Sequence, residues 1–95
     1  NINIYESSNN ELYEEKLKIS VYPNPSKGVF ELSLNNDFIK SIQISNSLGQ
    51  MIRDPHILNM KINRYMVDLS DCPSGVYFLD IETLHEHKNV QIIKN

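Results

Sequence analysis

Apolar and polar residues alternate with a period of two along most of the chain after residue 16. This pattern is typical of strands with one buried face, and no run shows the helical period. The clearest runs are residues 17–21, 29–34, 65–69 and 77–81. The side chains expected to face the core are Leu17, Ile19, Val21, Phe30, Leu32, Leu34, Phe38, Ile42, Ile44, Tyr65, Val67, Leu69, Tyr77, Leu79, Ile81, Val90 and Ile92.

The segments between these runs are less regular. Residues 46–49 predict a tight turn with Gly49 in a left-handed conformation, and residues 50–53 are expected to form the returning strand. Residues 57–62 fit either a ragged strand or a loop that packs its apolar side chains. Residues 85–87 are the expected tip of a hairpin that leads to the last strand.

Two corners are marked by proline and glycine. In the first, Pro23 and Pro25 flank Asn24, and neither proline has a backbone N–H to donate. Gly28 then permits a positive φ before the next strand begins. Residues 71–75, which contain Pro73 and Gly75, repeat this logic. We therefore expect rigid surface corners at both places.

About seven short strands separated by turns predict an all-β fold, an Ig-like antiparallel β-sandwich. The Cys…Trp…Cys core of true immunoglobulin domains is absent, because the chain has one Cys and no Trp. The likeness is therefore expected in general architecture only. Residues 17–95 would form this domain, and residues 1–16 a linker, with a possible short strand at 2–5.

Charge and composition exclude several functions. The net charge is −3, and residues 1–15 hold four glutamates and no Lys or Arg, so the remainder is nearly balanced. Binding to nucleic acid phosphates needs a basic surface, which this chain lacks. No apolar run is long enough to cross a bilayer. Because the chain begins with Asn1, we expect a fragment of a longer protein, in which a missing leader carries no information.

Candidate catalytic and metal-binding residues are few. His85 and His87 could share a strand face and bind a metal, but without an evident third ligand an exposed turn is favoured. Cys72 fits a small buried apolar residue, since no histidine base is suggested nearby. A carboxylate pair for catalysis is less favoured than solvent-facing acids on strands. The acids considered are Asp68, Asp71, Asp80 and Glu82. We expect no enzyme activity, no cofactor and no metal.

Val76 and Phe78 lie on the strand face opposite Tyr77. An exposed apolar pair could contact a partner. The favoured alternative is that the N-terminal segment or the loop at 54–64 covers them.

Four blocks of sequence resemble one known family, in its order and spacing. They are residues 22–30, 42–50, 67–78 and 88–94. The chain from 17 to 95 resembles the type A C-terminal sorting domains of the type IX secretion system (the Por secretion system) of Bacteroidetes. Cys72 departs from the family, which usually has a larger apolar residue there.

The resemblance implies a domain that directs an N-terminally fused cargo protein through the outer-membrane secretion machinery. The cargo would pass through the periplasm and be secreted or held at the cell surface. A sortase-like peptidase would cut within or before residues 1–16, and the cargo would be released or joined to lipopolysaccharide. The alternatives are a carbohydrate-binding or adhesive sandwich of a surface protein, and a fibronectin-like spacer.

The resemblance also suggests which residues carry recognition. They are Pro23, Asn24, Pro25, Gly28, Gly49, Pro73, Gly75, Tyr77, Lys88, Val90, Ile92 and Lys94. If the last strand is a sheet edge, a partner could dock on it by strand addition, and Lys88 and Lys94 would offer charge to an acidic receptor. Deletion of residues 88–95 is then expected to abolish export.

Overall fold

A computed structural model of the protein describes residues 16–36, 38–53 and 55–95. Within these ranges the chain forms seven strands and no helix, which confirms the all-β prediction. The strands are β1 (Ile19–Tyr22), β2 (Val29–Leu34), β3 (Ile39–Asn46), β4 (His56–Lys61), β5 (Arg64–Asp68), β6 (Gly75–Thr83) and β7 (His87–Lys94). The expected strand at 2–5 lies outside the described residues.

The strands form two antiparallel sheets that pack face to face as a β-sandwich. One sheet has the order β1-β2-β5-β4 and the other the order β3-β6-β7. Lettered A to G along the chain, this is ABED against CFG, the arrangement of constant-type immunoglobulin domains. The likeness therefore extends to topology, which goes further than the expectation of a shared architecture. Strand order depends on pairing between strands that are distant in sequence. The absence of the Cys…Trp…Cys core gives no information about that order.

The core lies between the two sheets and follows the predicted alternation. Its buried apolar side chains are Leu17, Phe30, Leu32, Leu34, Ile44, Val67, Leu69, Tyr77, Leu79, Ile81 and Ile92. Among the half-buried residues that pack against them are Ile19, Val21, Ile42, Tyr65, Cys72 and Val90. Each Leu, Ile, Val or Phe side chain that is fully buried in this core contributes roughly 1.5–3 kcal/mol to the stability of the fold.

Phe38 is the exception, and its prediction as a core residue is wrong. Its side chain is 62% exposed. The pairing of β3 with β6 shifts between Ile39 and Ser41, as at a β-bulge. A bulge adds one residue to a strand and so changes which residues face inward. Ile39 consequently packs against the core in the place expected for Phe38.

Two predictions between β3 and β5 are resolved by strand pairing. Residues 50–53 were expected to form a strand, but Met51 makes only an isolated bridge to Ser45. The stretch between the turn at 46–50 and Pro55 is too short for a longer ladder, and proline cannot donate to one. Residues 56–61 instead form β4, which pairs with β5 and decides the open question at 57–62 in favour of a strand.

Val76 and Phe78 are half-buried on the outer face of the three-stranded sheet. The segment expected to cover them contains β4, which belongs to the other sheet. That part of the expectation is wrong. The N-terminal segment, the other expected cover, lies outside the described residues.

Candidate functional site

Most of the predicted recognition residues meet at one end of the sandwich, around the end of β7. We call this region the terminal clamp. It comprises the first corner (residues 23–28), the second corner (residues 70–75) and the end of the chain (residues 91–95). The clamp joins segments that are far apart in sequence, and it is built almost entirely from hydrogen bonds to backbone groups.

Asn24 uses both ends of its side-chain amide to hold β7. Its Oδ1 accepts a hydrogen bond from the backbone N–H of Ile93 at 2.9 Å. Its Nδ2 donates to the carbonyl oxygen of Gln91 at 3.1 Å. The side chain thus bonds the outer edge of β7 as a neighbouring strand would. Pro23 and Pro25 restrict the backbone on either side of it.

Ser26 continues this seal with its backbone. Its N–H donates to the carbonyl of Ile93 at 3.0 Å, and its carbonyl accepts from the N–H of Asn95 at 2.8 Å. These bonds form a short parallel bridge between Ser26 and Lys94. Ser26 was not among the predicted residues. Because it holds β7 through its backbone groups, its residue type gave no signal that could have identified it.

Lys94 closes the clamp from the buried side. It is only 9% exposed and shares the inward face of β7 with Ile92. Its Nζ donates to the carbonyl of Ser70 at 3.0 Å and also to the carbonyl of Cys72. The expectation that Lys94 offers its charge to a receptor is therefore wrong. The ammonium instead holds β7 to the second corner.

Gly28 brings the two corners together. Its carbonyl accepts the N–H of Leu69 at 2.7 Å. Its φ is +155°, and a Cβ at this position would lie 3.0 Å from the Cα of Ser70. Both the backbone conformation and the close approach require glycine here, as the sequence predicted.

Tyr77 forms a tyrosine corner. Its ring is buried, and its hydroxyl donates to the carbonyl of Pro73 at 2.5 Å, four residues upstream. Immunoglobulin-type sandwiches place such a tyrosine near the start of strand F, which corresponds to β6. Burial, with a smaller contribution from Cys72, raises the pKa of the Tyr77 hydroxyl and keeps it protonated as a donor. Gly75 pairs with Lys94 immediately beside this corner.

Asp68 shapes the start of the second corner. Its Oδ1 accepts the backbone N–H of Ser70 at 2.8 Å. Hydrogen bonds from the Ser70 hydroxyl, and then from its N–H, lower the pKa of the Asp68 carboxyl. The ionised form of Asp68 is therefore the one that these hydrogen bonds favour.

The Gly49 turn lies at the same end of the sandwich. Gly49 has the predicted positive φ, 83°. The side chain of Asn46 accepts the N–H groups of Leu48 and Gln50, each at 2.9 Å. Because Asn46 pairs with Tyr77, this turn packs next to the second corner. The Asn46 contribution is typical of asparagine in turns, although the sequence analysis did not single it out.

The remaining predicted residues of β7 lie either in the core or at the opposite end of the strand. Ile92 is buried and Val90 half-buried, as expected. Lys88 pairs with Ile81 at the opposite end of the strand, and its Nζ lies 3.6 Å from Glu86. Lys88 is therefore not part of the terminal clamp.

The described residues offer no constellation suited to a metal. None of their His, Cys, Asp and Glu side chains form a group of three that could hold one. His87 is the first residue of β7 and contacts the Asp80 carboxylate, while His85 lies in the turn before it. Across the same part of the chain, no helix is long and apolar enough to cross a membrane.

The chain matches a known protein family. The family described as secretion system C-terminal sorting domain matches residues 20–95. That span contains both corners, the Gly49 turn and all of β7. No curated protein matches the chain.

Proposed function

Because this chain belongs to the type IX secretion system C-terminal sorting domain family, we propose that it delivers an N-terminally fused cargo protein to the outer-membrane machinery of that system. Membership implies a sorting signal for export across the outer membrane, to the cell surface or the medium. The observation that carries the proposal is the family match over residues 20–95. The family is not an enzyme family.

Transit and processing form the finer part of the proposal. The cargo crosses the periplasm with the sorting domain attached. A sortase-like peptidase then removes the domain by cutting within or before residues 1–16. The four glutamates of residues 1–15 make this segment polar, which suits a cleavable linker.

We infer that the terminal clamp is the surface the machinery recognises. Nine of the twelve proposed recognition residues belong to it or to the adjoining tyrosine corner: Pro23, Asn24, Pro25, Gly28, Pro73, Gly75, Tyr77, Ile92 and Lys94. Their hydrogen bonds go mainly to backbone groups and fix the shape of the backbone. Recognition would therefore read the shape of two corners held against the last strand.

A reporter fusion tests the proposed function. Residues 1–95 are fused to the C-terminus of a periplasmic reporter in a host with a type IX system, and surface or released reporter is measured. The fusion is expected to leave the periplasm in this host and to stay there in a matched host without the system. Reporter retained in both hosts would contradict the proposal. Glycan binding by the same chain would instead support the adhesive alternative.

A further inference from the structure

The outer edge of β4 is open along most of its length, whereas the other two long sheet edges, those of β3 and β7, are each covered in part. β4 pairs with β5 on one side only. Alternate residues of an antiparallel edge strand direct their N–H and C=O groups away from the sheet. Within the described ranges, no backbone hydrogen bond from a turn or loop reaches residues 56–61.

The other sheet edges are partly closed or short. The second half of β7 is sealed by Asn24 and Ser26, as described above. The end of β3 is covered where Ile52 donates to the carbonyl of Ile44 at 2.7 Å. β1 has only four residues and is followed directly by Pro23. A short edge strand and a proline beside it both limit pairing with another strand. The first four residues of β4 have no comparable protection, and the pairing with β5 becomes irregular only between Asn59 and Lys61.

The side chains beside this edge are apolar. Leu58 and Met60 point outward from the sheet and are 57% and 56% exposed. Leu58 pairs with Met66 of β5. A groove of about 430 Å³ runs along this surface, lined by Pro55, His56, Ile57, Leu58, Met66 and Asp68. Exposed apolar side chains next to an open edge favour the addition of another strand.

Charge at one end of the edge limits what can dock. Lys61, the last residue of β4, is exposed, and none of the ion pairs among the described residues includes it. Arg64 pairs with it across the strands and is already held by Glu31 at 3.3 Å. Among the described residues at this end, Lys61 therefore carries a positive charge that no ion pair uses, and a carboxylate would complement it.

We propose that the outer edge of β4 is a docking site for an extended segment of the secretion machinery. The segment would carry apolar side chains at alternate positions, to cover Leu58 and Met60, and a carboxylate opposite Lys61. This inference rests on the proposed function, since it assigns a second contact surface to the same export step. It also moves strand addition from β7, whose edge is sealed over its second half, to β4.

Export of the full-chain reporter fusion tests the site. Lysine on an edge strand discourages strand addition, so Leu58→Lys with Met60→Lys is expected to lower exported reporter at least about tenfold. Leu84→Lys is the matched control, because Leu84 is 57% exposed, as Leu58 is, and lies in the turn between β6 and β7, away from the sheet that contains β4. The amount of exported reporter is expected to stay within about twofold of that given by the original chain. Thermal unfolding confirms that each variant is folded.

The charge requirement is tested with Lys61 alone. Lys61→Glu is expected to lower export, and Lys61→Arg to keep it. If the original chain is exported and Leu58→Lys with Met60→Lys is exported equally, the docking site is wrong while the sorting function stands. If the original chain is not exported, the proposed function itself fails. Sedimentation that shows a dimer of the original chain, lost in the double variant, would also overturn the proposal by making a second copy the occupant.

Discussion

Lys94 shows how a single residue can change role between sequence and structure. Its place in the alternation, two residues after Ile92, already puts it on the inward face of β7. A lysine there usually extends its stem along the core and keeps its charge in water. Here the carbonyls of Ser70 and Cys72 receive the ammonium. The alternation could predict the face, but it could not predict that the second corner turns its carbonyls toward that face.

Replacing Lys94 tests this role. Lys94→Met keeps the length of the side chain but leaves the two carbonyls without their donor, so we expect it to lower the free energy of unfolding by about 2 kcal/mol. The measurement is chemical denaturation of the 95-residue chain. Lys88→Met, on the same strand but exposed, is expected to change it by less than about 0.5 kcal/mol. Equal effects of the two substitutions would contradict the clamp.

The ionisation of Asp68 determines how the stability of the second corner is expected to change with pH. Since its pKa is lowered in the folded protein, it adds stability above its ordinary pKa of 3.8 that is lost as the pH falls through the lowered value. Asp68→Asn removes this titration. We therefore expect the original chain to unfold at a higher temperature than the variant at pH 6, and the difference to shrink as the pH falls below 3.8. A difference that stays constant over this range would show that ionisation of Asp68 is not involved.

At the scale of strands, β7 is half sealed and half open. Asn24 and Ser26 occupy the outward groups of Ile93 and Asn95, whereas Asn89 lies beyond their reach. Outward groups recur at every second residue of the strand, so the N–H of Asn89 also points away from β6. The two halves of this edge strand are therefore expected to differ in the protection of their outward N–H groups, which gives a signature in solution.

Amide hydrogen exchange measures that signature. The N–H groups of Ile93 and Asn95 are expected to exchange slowly although they lie on an edge, and that of Asn89 to exchange quickly. Asn24→Ala should speed exchange at Ile93, because it removes the Oδ1 acceptor. Asn89→Ala, the control on the same strand, should leave Ile93 unchanged. Fast exchange at Ile93 in the original chain would contradict the seal.

The strands themselves were largely predictable, because alternation is a local property. Residues 29–34 and 75–83 behave as their pattern indicates. The failures have local causes that the pattern does not reveal. Because of a bulge near Ile39, that residue packs against the core in the place expected for Phe38. Residues 50–53 are apolar enough for a strand but too close to Pro55 to pair along their length.

At the scale of the whole molecule, the sequence offered candidate recognition residues but not the contacts that they make. The family resemblance selected Asn24, Tyr77 and Lys94, yet it assigned them no contacts. Their partners are distant in sequence: Asn24 bonds a residue 69 positions away. Composition and spacing do not encode such pairs, whereas a fold with the topology of an immunoglobulin domain brings both corners to the last strand.

Deleting residues 88–95 is a weak test of recognition, since it also removes the buried Ile92 and most of β7. Point substitutions that loosen the clamp but keep the core separate recognition from folding. Asn24→Ala with Lys94→Met is such a pair. Ile44→Val with Ile81→Val, two buried positions in β3 and β6, provides a control of similar destabilisation.

The most direct measurement is therefore the export of a reporter fused to each of these two double variants, after their free energies of unfolding have been matched by denaturation. We predict that the clamp variant loses at least about nine tenths of the exported reporter, while the core variant stays within about twofold of the original chain. Equal export of both variants would contradict recognition of the terminal clamp.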